Sequence, residues 1–178
     1  FIKKLTASAS ATLSFVDGSD GVVLDDTYKE YVFTFNNVHS ANNNTQFLFN
    51  GSIDGGSNYN VVKTTTSFRA YHAEADNEQD LEYFGLMDLA QSTAFQRLAD
   101  YTGNAADSGN SGSMTLYNPS STTFVKHFIS RISANSLGSF EMDFNIAGYA
   151  NTTSAINAVQ FKMASGNFDG DICLYGIA

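Results

Sequence analysis

An all-β fold, an antiparallel β-sandwich of jelly-roll type, is what this sequence predicts, and three observations predict it. Apolar residues recur with a period of two. Turn-forming Gly, Asn and Asp punctuate the chain at short intervals, and only one segment shows helical spacing. The chain of 178 residues fits one domain. Residues 1–8 read as the end of an attaching arm or the first strand, and residues 9–178 as a single sandwich domain. A globular chain of this size buries roughly 70% of its unfolded surface, enough for a core without disulfide or metal staples.

The elements follow in order. Leu13 and Phe15 form the first inward pair, closed by the turn signal Asp17-Gly18. Tyr31, Phe33 and Phe35 share one face of the next strand, and Phe47 with Phe49 share a face of the one after. Asn50-Gly51 and Asp54-Gly55-Gly56 mark turns, because Gly, Asn and Asp adopt positive φ at low cost. Residues 73–82 and 104–113 read as long exposed loops. Between them Leu86, Leu89, Ala90, Ala94 and Leu98 recur at helical spacing, with Asp88 early and Arg97 late to suit the helix dipole. Residues 86–99 therefore read either as one short helix or as an irregular excursion.

Met114 and Leu116 belong to a strand that the turn Asn118-Pro119-Ser120-Ser121 joins to the β-rich run 124–132 as an antiparallel pair. The alternation is clearest in Phe140-Glu141-Met142-Asp143-Phe144-Asn145-Ile146, apolar on one face and polar on the other. Val159, Phe161 and Met163 mark another strand. A last hairpin is expected to pair residues 160–164 with 172–175 across residues 166–170.

Composition narrows the function classes. Charged residues are 15%, against about 25% in typical domains, and Ser, Thr, Asn and Gly take their place. Nine basic residues against 18 acidic give a formal charge of −9 and a pI near 4.5. Nucleic acid and anionic membranes need clustered Lys and Arg, and here the basic residues are scattered except for Lys3-Lys4. No apolar run approaches the length that spans a bilayer. Cys173 is the single cysteine and reads as a small buried hydrophobe. The first residue is Phe rather than Met, so a fragment or mature piece of something longer is expected.

The residues with chemical potential are dispersed. His39, His72 and His127 lack metal-ligand spacing, and His127, alternating with Val125 and Ile129, reads as a hydrogen-bonded structural histidine. Asp17, Asp20, Asp25 and Asp26, and separately Asp76, Glu78 and Asp80, could gather oxygens around calcium. In the second cluster, though, Leu81 stands where a calcium loop needs glycine, and both clusters read better as solvated turn acids. Tyr59, Tyr71, Tyr83 and Tyr101 fall in or near expected loops, where tyrosine can serve as a contact residue. The sequons at Asn43, Asn50 and Asn151 are at chance level in so Asn-, Ser- and Thr-rich a chain. No residue is assigned a catalytic, cofactor-binding or metal-binding role, and no cofactor is expected.

Five stretches resemble a family of virion proteins of tailed phages of marine bacteria, described as tail-fibre or virion structural proteins. They are residues 28–38 (YKEYVFTFNNV), 50–61 (NGSIDGGSNYNV), 67–72 (SFRAYH), 118–130 (NPSSTTFVKHFIS) and 164–177 (ASGNFDGDICLYGI). The resemblance implies a non-enzymatic particle component, a fibre, knob or surface appendage. It also implies a homotrimer assembled in host cytoplasm and exposed on the virion, touching other virion proteins and a host glycan or outer-membrane protein. A capsid decoration or cement protein is the alternative within structure. A carbohydrate-binding module or glycan depolymerase is the alternative from another class, weakened by the lack of Trp for sugar stacking.

Overall fold

The computed structural model describes residues 1–137 and 139–178. Its strands are β1 (Lys3–Ser10), β2 (Thr12–Val16), β3 (Glu30–Ser40), β4 (Thr45–Ser52), β5 (Lys63–Ala73) and β6 (Gln79–Tyr83). They continue as β7 (Gln96–Thr102), β8 (Asn110–Tyr117), β9 (Lys126–Ser136), β10 (Phe140–Ala150), β11 (Ala158–Met163) and β12 (Phe168–Ile177). Every pairing is antiparallel.

Hydrogen bonding joins the twelve strands in one sheet, which branches at β9 into two layers. The larger runs β1-β12-β3-β8-β9-β10-β5-β6, and the smaller runs β7-β4-β11-β2. A single pair, Thr102 opposite Ser136, joins them on one side. On the other side the chain passes from Ser10 of β1 to Thr12 of β2, so the sandwich is nearly closed. Between β2 and β5 each successive strand crosses to the opposite layer, an order compatible with a jelly roll.

The inward alternate positions meet in an aromatic core. Phe161 of β11 lies 5.2 Å, centroid to centroid, from both Phe33 and Phe35 of β3. Phe49 of β4 lies edge-on to Phe128 of β9 at 4.9 Å. The expected inward faces are the observed ones, and Met142, Phe144 and Ile146 are all buried. The β8–β9 hairpin also forms as expected, with Met114 opposite Ser130 and Leu116 opposite Phe128. Gly112 permits its close approach: a Cβ there would lie 2.2 Å from the Arg131 carbonyl oxygen.

Several local expectations are corrected: Asn50-Gly51, expected at a turn, lies within β4, and residues 110–113 of an expected loop begin β8, while for residues 86–99 the irregular alternative holds over the helix. Residues 86–99 form no α-helix; a single 3-10 turn, Gly85–Met87, is followed by irregular chain and then β7. Tertiary hydrogen bonds override the local spacing. Lys63 and Ser92 exchange backbone bonds, Thr65 N–H donates to Leu89, and Leu98 is drawn into β7 beside β4. Residues 73–82 are mostly the tip of the β5–β6 hairpin rather than a long loop, with His72 opposite Gln79. β11 and β12 do not pair with each other. β11 lies between β4 and β2, and β12 between β1 and β3, so residues 164–167 carry the chain from one layer to the other.

Candidate functional site

Strand alternation decides which side chains reach the outside of the larger layer. On β9, Lys126, Phe128, Ser130 and Ile132 turn inward and are buried, while His127, Ile129, Arg131 and Ser133 turn outward. Register carries this parity across the layer. Ala147 of β10 stands between Ile129 of β9 and Thr66 of β5, and Phe68 of β5 stands beside Tyr83 of β6. Phe68, Leu81, Tyr83 and Ile129, 50–68% exposed, therefore share one outer face.

The short Ala147 side chain between longer neighbours leaves a trough of about 490 Å³, bordered by Thr64, Thr66, His127, Ile129 and Tyr149. A cleft of about 130 Å³ continues it between Ile129 and Phe68. Neither depression is lined by an Asp, Glu, Lys or Arg among the described residues. The adjoining depression is polar and internally paired. Arg131 donates to Asp143 from Nε at 3.0 Å and from Nη2 at 2.8 Å, and Ser133 donates to Glu141 at 2.6 Å. Exposed apolar surface is gathered on this one face, in a chain otherwise so polar, which makes it the candidate site.

The inner face holds two further clusters. The Arg69 guanidinium of β5 lies 3.9 Å from the Phe84 ring centroid, 5.0 Å from that of Tyr71 and 5.4 Å from that of Tyr101. It also forms an ion pair with Glu82 at 2.6 Å. Tyr71 and Tyr101, expected in or near loops, are thus walls of an arginine cage on strands, and the arrangement is structural. Arg69→Lys is expected to lose about 1–2 kcal/mol, because an ammonium reproduces neither the planar stack nor the fork. Urea unfolding of the variant checks this.

The second cluster is Lys63, 1% exposed, whose Nζ donates to Asn50 Oδ1 at 2.6 Å and to the Val61 carbonyl at 2.7 Å. Burial lowers its pKa from 10.5 to about 7. Lys126, also fully buried, donates to the Thr152 carbonyl at 3.1 Å, and burial lowers its pKa as well. Both lysines flank Ala150 in register. Neither stands out in the sequence as a buried charge. For Lys126 a signal existed, since it shares the parity of the inward Phe128 and Ile132.

The other residues with chemical potential are dispersed. His39 is half-buried, with Nδ1 2.8 Å from the Ser108 carbonyl, and exposed His72 lies 3.0 Å from Asp76. His127 corrects the reading of a hydrogen-bonded structural histidine. Its parity is outward, so it is exposed at the trough, its ring 6.2 Å from that of Tyr149. Tyr83 is exposed on β6, and Tyr59 is half-buried in the loop after β4.

The acids hold turns. Asp17 accepts from Leu24 N–H, Asp25 from Thr27 N–H and Asp80 from Leu81 N–H, while Asp20 pairs with Lys3. Among the described residues no three His, Cys, Asp or Glu converge as a metal-binding group. Cys173 is buried and unpaired by disulfide. Asn50 is fully buried, its amide donating to the Tyr59 and Thr93 carbonyls, which closes that sequon to modification in the folded chain.

No protein-family model matches the chain, and no curated protein matches it. Among solved structures it is similar to the marine PL-14 alginate lyase from Aplysia kurodai, at 11% identity over 98% of this chain and 82% of that one, with a TM-score of 0.31. A likeness at that level carries no argument about fold or activity.

Proposed function

We propose that this chain is a non-enzymatic surface component of a tailed-phage particle, a fibre, knob or appendage domain that works as a homotrimer. The observation carrying the proposal is the outer face of the larger layer, where Phe68, Leu81, Tyr83 and Ile129 are exposed beside an uncharged trough. Protein contact surfaces are depleted of charge at their centres and enriched in aromatics, and this face has both properties. The resemblance of five segments to virion proteins supports the same reading. In the particle the domain is exposed outside, where its loops and the aromatic rim contact neighbouring virion proteins or the host surface.

The test is immunogold electron microscopy of phage particles with an antibody raised against this domain. Label on tails or appendages is the expected result, and particles free of label overturn the proposal. Label confined to the head shell replaces the appendage reading with that of a decoration or cement protein.

A further inference from the structure

β4 carries Asn50, β5 opens on Lys63, and the two side chains meet inside the sandwich. Asn50 has no exposed surface, and Lys63 is 1% exposed. Lys63 Nζ lies 2.6 Å from Asn50 Oδ1. With a carbonyl bond of about 1.2 Å, that contact sets Nζ roughly 3–4 Å from the amide carbon Cγ, against a near-attack range of about 3–3.5 Å. An amine held there, out of water, is placed for a reaction as well as for a hydrogen bond.

We infer that Lys63 and Asn50 join in the folded chain as an intramolecular isopeptide bond, a modification that ties β4 of the smaller layer to β5 of the larger. The unprotonated Lys63 Nζ attacks Cγ of Asn50; the Nζ–Cγ bond forms and the carbonyl π pair moves onto Oδ1. One proton then passes from Nζ to Nδ2, the carbonyl re-forms, and the Cγ–Nδ2 bond breaks with its electron pair leaving on ammonia. A primary amine and a primary amide thus become one secondary amide and one ammonia, with no oxidant, metal or co-substrate. The inference goes beyond the particle-component reading and stands independently of it.

The surroundings favour each step. Asn50 Nδ2 donates to the Tyr59 carbonyl at 2.8 Å and to the Thr93 carbonyl at 3.0 Å, which fixes the amide with Oδ1 toward the lysine. Gly51 N–H donates to Oδ1 at 2.8 Å, where negative charge collects in the tetrahedral intermediate. Burial lowers the Lys63 pKa from 10.5 to about 7, so near neutral pH a substantial share of the amine is the free nucleophile. Phe49, Val61, Phe128 and Ile156 line the cavity beside Lys63 and keep out water, the competing nucleophile.

Lys126 is the contrast within the same fold. It is as deeply buried, but it donates to the Thr152 backbone carbonyl and meets no side-chain amide. Among the described residues no carboxylate is hydrogen-bonded to Lys63 or Asn50 to ferry the proton. The bond therefore forms slowly after folding, and chains measured before it forms carry Lys63 as a free, titrating amine. The product suits a chain whose single cysteine gives it no internal disulfide to tie its layers.

The experiment is intact-mass spectrometry of the purified natural chain after prolonged incubation in the folded state, beside Lys63→Met treated alike. The expected result is a natural chain lighter by one ammonia and a variant of unchanged mass. Chymotryptic cleavage after Tyr59, which lies between the two residues, should then leave the Asn50 and Lys63 peptides joined. Circular dichroism verifies that the variant folds. A control that does not depend on its folding is the natural chain held unfolded in urea, which should keep its full mass. A folded natural chain of unchanged mass overturns the inference. So does a loss of ammonia with the two peptides separate, the mark of a succinimide between Asn50 and Gly51, and so does an equal loss in urea.

Discussion

Phe161→Ala is expected to lose about 3–5 kcal/mol of folding stability, the range for truncating a fully buried phenylalanine. Phe161 of β11 has no exposed surface. Its ring centroid lies 5.2 Å from those of Phe33 and Phe35, 6.0 Å from Phe47, 6.2 Å from Phe15 and 6.4 Å from Phe49. Those neighbours come from β2, β3 and β4, so one side chain ties the smaller layer to the larger. The cavity left by alanine cannot collapse readily, because each wall is a ring held by its own strand pairing. Edge-to-face aromatic pairs add about 0.5–1.5 kcal/mol each beyond their buried area, which puts the expected loss toward the top of the range. Domains are stable by about 5–15 kcal/mol in all, so the variant stands near the folding threshold. Urea unfolding measures the difference, with Phe68→Ala as the contrast expected to change stability by less than about 0.5 kcal/mol. A loss below about 1 kcal/mol for Phe161→Ala, well under that range, would mean that the layers are held together elsewhere.

That contrast shows what was legible in the sequence. Phe161 and Phe68 are the same residue type on two strands, and period two alone identifies neither as inward. Phe161 is recognisable because Val159 and Met163 share its parity and the intervening Gln160 and Lys162 are polar. Phe68 lies in Ser67-Phe68-Arg69-Ala70-Tyr71, where the apolar parity is the exposed one, and the inward positions hold Ser67, Arg69 and Tyr71. Pattern reading therefore finds the core wherever polar residues mark the solvent, and misses a face whose apolar residues are the exposed ones. His127 is the same case, since its apolar neighbour in parity, Ile129, is itself exposed.

Long-range pairing was legible only at β8–β9, where a turn signal stands in the connecting residues 118–125. The β8–β9 hairpin follows from the Asn118-Pro119 turn between two strong strands. The segment between β11 and β12 carries equally good turn residues, Gly166 and Asn167, yet connects two layers. A tight turn specifies a reversal of direction, and whether the reversed strand pairs or crosses over depends on the neighbours already in place. The irregular 88–95 segment follows the same logic, its carbonyls taken by Thr65, Lys63 and Asn50 instead of by a helix.

Lys63→Met is expected to flatten the pH dependence of stability between pH 7 and pH 10, and the physical chain runs from burial to proton linkage. Lys63 is 1% exposed and lines a small cavity together with Phe49, Val61, Leu116, Phe128, Ile156 and Val159, and its hydrogen-bond acceptors are neutral. Desolvation without a compensating anion disfavours the ammonium, so the folded-state pKa falls from 10.5 to about 7. Between those values the unfolded chain holds the proton and the folded chain does not, so stability rises with pH across that window. Below pH 7 both states are protonated and the penalty is at its full, constant value; above pH 10.5 both are neutral and it vanishes. A tenfold change in proton affinity corresponds to about 1.4 kcal/mol, which gives about 3–5 kcal/mol across the window. Methionine keeps the length and apolar stem of lysine without the charge, and Asn50 Oδ1 retains the Gly51 N–H at 2.8 Å as a donor. The Val61 carbonyl does lose its Lys63 donor, a loss that is independent of pH. The stability of the variant relative to the natural chain should therefore be greatest near pH 7 and fall steadily toward pH 10. Urea unfolding of both chains at several pH values gives that difference directly, cancelling the titration of every group they share. Parallel pH profiles would show that Lys63 keeps its charge in the folded protein, hydrated in a way that its two neutral acceptors do not provide.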